Sequence, residues 1–209
     1  MLTRAVSGQS LLKPVALAFA LACVAGTWPV AAFADPIGEG LTDSLNGHWR
    51  EAIAKLEPLA LAGNADASYA LGQMYGGIGG PADDRRSLLW YQRAAAGGSP
   101  KGVIAVASRY ASGDGVKKDV DHAIQLLAAG SVKDDPDVQF NLALILSDEK
   151  YDKHDYVRAY VLFTRAIDSR PDAPPGFRPV DLRKEVAGRM TVDQVAQAER
   201  MLSSQPKER

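Results

Sequence analysis

The chain has 209 residues, 24 of them Lys or Arg and 25 Asp or Glu, for a formal net charge of −1, and 46% of its residues are hydrophobic. Nowhere do the basic residues gather into the concentrated face that displaces counterions from phosphate, which excludes a nucleic-acid binder. The one cysteine excludes an internal disulfide, so packing alone must hold the fold.

The first 34 residues read as an export signal. Arg4 and Lys13 give a basic start, Val15 to Ala25 is an unbroken apolar run, and Ala32-Phe33-Ala34 before Asp35 has the small residues a signal peptidase needs. Cleavage is expected between Ala34 and Asp35. The apolar run is too short for a membrane span, which needs about 20 residues. Cys23 offers a rival site, because a lipoprotein is cut just before a cysteine, yet Ala20-Leu21-Ala22 places Ala where such a motif prefers Leu. Loss of the leader removes Arg4, Lys13 and Cys23, leaving 22 basic against 25 acidic residues, a net of −3. The chain that remains has the length of one domain.

After Asp35 a short helix is expected through Leu45. A stronger one should run from His48 to Ala62, where Ala52, Leu56, Leu59 and Ala60 share a face at 3.6 residues per turn. Pro58 inside it removes a backbone donor and predicts a bend, and Gly63 should end it. Three helix pairs follow: 64–76 with 81–97, 100–111 with 119–129, and 136–147 with 154–169. Residues 170–180 form a proline-rich break. A closing pair is expected over 181–189 and 192–202, with Thr191 as N-cap and an apolar stripe of Val195, Ala198 and Leu202 suited to a capping helix. The last five residues, 205–209, read as a disordered tail.

These pairs repeat. Gly98, Gly102, Val106, Ala107 and Tyr110 have counterparts 35 residues earlier at Gly63, Ala67, Leu71, Gly72 and Tyr75. Moving 36 residues on gives Asp134, Val138, Leu142, Ala143 and Leu146. A second series, Asp119, Ala123, Leu126 and Leu127, matches Asp83, Ser87, Trp90 and Tyr91 upstream and Asp155, Ala159, Leu162 and Phe163 downstream. Two series per period mean two helices per repeat, and a period of this length indicates a solenoid whose units cannot bury their apolar faces alone.

The residues exclude more chemistry than they suggest. The turns Gly76 to Pro81 and Gly113-Asp114-Gly115 lack the Lys and Ser/Thr of a phosphate loop and follow no strand, so their glycines are expected to supply positive φ. Aspartates around 134–155 do not reproduce a calcium loop. His48, His122 and His154 are scattered, without metal-ligand spacing. No catalytic constellation is visible, and no cofactor or metal is expected.

The segments GNADA and LGQMY, WYQRAAAGG and YASGDGVKKD resemble the consensus of Sel-one-like repeats, relatives of tetratricopeptide repeats. The resemblance covers residues 43–202, is closest over 60–130, and weakens where SDEKYDKHD replaces a glycine turn. It implies an all-α fold, a right-handed α-solenoid of antiparallel helix pairs over 35–204, and a non-catalytic scaffold for a protein or peptide partner. Together with the leader it places the chain in the periplasm of a Gram-negative bacterium, or outside the cell. Two other readings stand beside it: an enzyme acting on cell-envelope material, and a lipid-anchored assembly factor that depends on Cys23. The sequence leaves the oligomeric state open.

In tetratricopeptide-like stacks the first helix of each pair lines the concave surface. The resemblance therefore points to Gln73, Ser108 and Leu144 as one equivalent set facing a partner, Met74, Arg109 and Ile145 as the next, and Asn141 one turn from Ile145. These positions equally suit helix packing. A charged side chain is rarely fully buried, so reversal of Arg109 is expected to spare the fold and weaken partner capture.

Overall fold

The computed structural model describes residues 35–78, 80, 82–131, 135–170 and 179–204. The segment 1–34 expected to be an export leader, most of the proline-rich break and the tail at 205–209 lie outside the described residues. Among these there are ten α-helices and no strand. They are α1 Pro36–Leu45, α2 Trp49–Leu61, α3 Ala65–Tyr75, α4 Asp84–Ala96, α5 Pro100–Ser112, α6 Val120–Ser131, α7 Pro136–Ser147, α8 Tyr156–Asp168, α9 Pro179–Arg189 and α10 Val192–Ser203. Helix α2 continues through Pro58 to Leu61.

Side-chain caps fix where most helices begin, by accepting from backbone N–H groups that the first turn leaves without a partner. Asn64 accepts from Ala67 at 2.9 Å and Ser99 from Gly102 at 3.3 Å. Asp83, Asp119 and Asp155 accept from Arg86, His122 and Arg158 at 3.1, 2.8 and 3.0 Å. Thr191 and Gln194 form a reciprocal capping box. The three equivalent aspartates do a second job with the backbone. Their N–H groups donate to the carbonyls of Tyr75, Tyr110 and Leu146 at 2.7, 2.8 and 2.8 Å, closing each repeat's turn in the same way. The third turn closes thus although it has no glycine.

Where the second helix of one pair meets the first of the next, Gly63 and Gly98 adopt φ of +95° and +85°. Asn64 N–H then donates to Leu59 O and Ser99 N–H to Ala94 O, both at 3.0 Å, so the reversal caps the outgoing helix and presents the next N-cap. Gly115 is constrained twice. Its φ is +74°, and a Cβ there would lie 2.5 Å from the carbonyl oxygen of Asp84 in the preceding pair. Gly115→Val should cost about 1–3 kcal/mol through backbone strain alone, with the clash in addition. A urea midpoint equal to that of the parent would mean that this turn does not seat against Asp84.

From α1 to α9 each helix packs on the next, and α1, α3, α5 and α7 also touch one another in series. Leu71, Val106 and Leu142, equivalent by sequence, are 0%, 4% and 1% exposed. Tyr91, Leu127 and Phe163 fill the matching place on the second helices at 7%, 1% and 0%. The stack ends differently. Helices α9 and α10 both lie on α8. Val186 of α9 joins the core of Leu142 and Phe163, while Ala198 of α10 packs on Val157 and Val161, and the Tyr160 hydroxyl donates to Glu199 at 3.0 Å.

Candidate functional site

From α1 to α8 the first helices of the pairs contact their counterparts, and the second helices α2, α4, α6 and α8 make no comparable contacts with one another. In a stack of two layers the more closely spaced layer lies on the inside of the curve, so α3, α5 and α7 form the concave side. An open cleft of about 550 Å³ lies there. Its floor is Tyr69, Ile104 and Phe140, which are equivalent positions on the three helices, 35 and 36 residues apart. Ser108 and Asn141 border the floor on one side. On the other, a second depression joins Asp66, Lys101 and Asp137, again equivalent positions, into a rim.

The floor is held from behind. The rings of Tyr69 and Tyr91 are 5.5 Å apart and tilted by 44°, and Phe140 meets the buried Phe163 at 5.8 Å. Tyr91 reaches its place because residue 72 is glycine, where a Cβ would stand 2.4 Å from the Tyr91 ring. Burial pushes the Tyr91 phenol above its ordinary range, and the neutral form is the one the groove presents at physiological pH.

The positions expected from sequence fall in different places. Ser108 and Asn141 line the main cleft. Asn141 donates to the Asp137 carbonyl at 2.8 Å. Leu144 and Ile145 line a separate cleft with Tyr151, Glu149 and Arg189, where Arg189 pairs with Glu149 at 2.8 Å and the Tyr156 hydroxyl donates to Glu149 at 2.6 Å. Gln73 is half-buried on α3 and lines neither cleft. Met74 is 1% exposed among Leu56, Leu71 and Trp90, so it is core and cannot touch a partner.

Arg109 lines the cleft, but its side chain is only 14% exposed. Its guanidinium donates to Asp84 and, at 3.0 Å, to Ser87 Oγ, which in turn donates to the Gly72 carbonyl at 2.7 Å. Arg109 thus ties α5 to α4, and its reversal would strain the junction between repeats. The exposed Ser108 is the better probe of binding.

Sequence reasoning missed Tyr69, Ile104 and Phe140. The available signal was a large apolar residue recurring four positions before Gln73, Ser108 and Leu144. Two other arrangements fit no ligand chemistry. Lys117, Lys118, Lys150 and Lys153 share a cleft at the turns with Asp119, Asp121 and Asp152, which nearly cancel their charge. Among the described residues no His, Cys, Asp or Glu cluster is arranged to hold a metal ion.

A model of the Sel1 repeat matches residues 65–99, 100–130 and 136–170. No curated protein matches. Among solved structures, a protective antigen of uropathogenic Escherichia coli displaying an SLR fold is similar with a TM-score of 0.63 at 24% identity. The match covers 73% of this chain and 32% of the antigen, so this chain spans about a third of its length. A Sel1 repeat protein from Oxalobacter formigenes is similar with a TM-score of 0.58 at 23% identity, over 83% of this chain and 71% of that one. Both likenesses concern the fold.

Proposed function

The chain is a Sel1-repeat protein, and from that premise we propose that it is an exported, non-catalytic scaffold that holds a protein or peptide partner in the groove of α3, α5 and α7. Proteins built of Sel1 repeats generally serve as interaction scaffolds. The observation that carries the proposal here is the partly exposed stripe of Tyr69, Ile104 and Phe140 on the concave side, bordered by polar groups. Large apolar side chains left accessible in a row, with hydrogen-bonding neighbours, are what a docked segment uses for area and for register.

Immobilised protein should capture a partner from cell-envelope extract. Ser108→Glu should reduce that capture about tenfold, equivalent to 1.4 kcal/mol, while circular dichroism and thermal midpoint stay those of the parent. Full capture by the folded variant would place the partner elsewhere on the surface.

Export is supported by the basic start, the apolar run and Ala32-Phe33-Ala34. The exported protein should begin at Asp35, with an intact mass that includes no acyl chain, and should be released with the periplasmic fraction. A lipidated N-terminus at Cys23 would instead anchor the scaffold to a membrane.

A further inference from the structure

We propose that the segment held in this groove is a polyproline II helix, with proline or another apolar residue at every third position and a facing acidic and basic residue that pair with Lys101 and Asp66. The inference rests on the groove reading above and adds the shape, spacing and charge of the occupant.

Spacing comes first. Tyr69, Ile104 and Phe140 sit at equivalent positions on successive packed helices, and packed helices lie about 8–10 Å apart. A polyproline II helix has three residues per turn and rises about 3.1 Å per residue, so its side chains return to one face every 9.3 Å or so. A β-strand returns to one face about every 6.7 Å and falls out of step after one helix. An α-helix comes back into step at the seventh residue, about 10.5 Å on. Its body, about 10–12 Å across, needs a wide apolar floor. The apolar floor here is narrow, Tyr69 on α3, Ile104 and the small Ala105 on α5 and Phe140 on α7, and Lys101, Asp137, Ser108 and Asn141 line the same cleft.

The lining agrees. Tyr69 and Phe140 give the groove flat aromatic faces, the surface on which prolyl rings pack, and a polyproline II backbone arrives with its carbonyls free to accept from Ser108 or Lys101. The rim supplies complementarity of charge. Asp66 and Lys101 are both exposed, whereas Asp137 already holds the Arg170 guanidinium at 2.8 Å. A partner therefore meets one unsatisfied anion and one cation a helix spacing apart, and matches them with Lys or Arg and with Glu or Asp three residues apart.

The test measures fluorescence anisotropy of labelled nonapeptides against the purified exported protein. Two carry Pro at every third position, with Lys and Glu three apart in either order; a third has the same composition scrambled; a fourth is a helix-forming peptide with apolar residues at i, i+3, i+4 and i+7. One period-three peptide should bind at least about tenfold tighter than the scrambled one. Lys101→Glu should remove most of that gain, and replacing the peptide's Glu by Lys should restore it. Tyr69→Ala and Ser108→Glu should each weaken binding. Equal binding of period-three and scrambled peptides overturns the proposal, as does tighter binding of the helical peptide, or no peptide binding while partner capture still depends on Ser108. Those outcomes leave the groove reading standing. If peptide binding and partner capture are both indifferent to Tyr69→Ala and Ser108→Glu, the groove is not the site and both readings fall.

Discussion

Gly102→Val is expected to destabilise the protein by about 3 kcal/mol or more, the upper end of what overpacking costs. A Cβ at residue 102 would lie 2.5 Å from the Ala95 nitrogen and 2.8 Å from both the carbonyl carbon and Cβ of Ala94. Two of these atoms are backbone, so α4 and α5 must part, and with them every contact at that junction. Equivalent junctions show how the space is normally shared. At the next junction Gly130 meets Val138, with a Cβ on the glycine standing 3.2 Å from Val138 Cγ1. The equivalent pairs Ala94 and Gly102, and Gly130 and Val138, each set a glycine on one helix against a residue with a Cβ on the other. Ala94→Gly should accordingly recover part of the loss in the double variant, because it recreates the Gly130 and Val138 pairing. Gly188→Ala provides the opposite sign. Nothing lies within 4 Å of a Cβ there and the backbone is helical, so the change should stabilise α9 by about 0.5–1 kcal/mol. Urea unfolding of the four proteins checks the series, and an unperturbed Gly102→Val midpoint would contradict the close approach of α4 and α5.

Leu142→Ala should cost about 2–5 kcal/mol. Leu142 is 1% exposed and belongs to the core that gathers Leu127 from α6, Phe163 from α8 and Val186 from α9. Removing its branched end leaves a void lined by four helices, and the adjoining side chains are themselves held by neighbours, so little collapse is available to relieve it. Leu71→Ala should fall in the same range, since Leu71 is 0% exposed at the equivalent position. Denaturant midpoints that stay put would mean that residues 71 and 142 do not occupy repeat-equivalent core sites.

The repeat architecture was legible because its determinants are local and recur in phase. Asp83, Asp119 and Asp155 announce the second helices by capping them, and the helices of each pair begin and end within a few residues of where caps, glycines and apolar spacing place them. The groove was only partly legible. Periodicity identifies which residues share a helical face, but the curvature of the stack decides which face is open, and curvature arises from contacts between α1, α3, α5 and α7 that are distant in sequence. Hence the sequence points to Ser108 and Asn141, which line the cleft, and passes over Tyr69, Ile104 and Phe140, which line it as well. Arg109 shows the same limit in electrostatic form. Its partners Asp84 and Ser87 are 25 and 22 residues away, and nothing around Arg109 itself indicates that its charge is already committed. Met74 failed as a groove position because neighbouring residues on a helix point about 100° apart, which suffices to move one from the open side into the core.

Helix α8 touches α7, α9 and α10, whereas α1 rests on α2 and α3. In an array whose elements gain stability from neighbours, opening is cheapest where neighbours are fewest. Backbone amides of α7 and α8 are therefore the last to trade their hydrogens for deuterium, and those of the terminal helices α1 and α10 the first, so that protection falls away from α7 and α8 toward both ends of the stack. A partner that bridges α3, α5 and α7 would couple these separately fluctuating units, and its arrival would be recorded as slowed exchange spreading toward α1, well beyond the residues it touches.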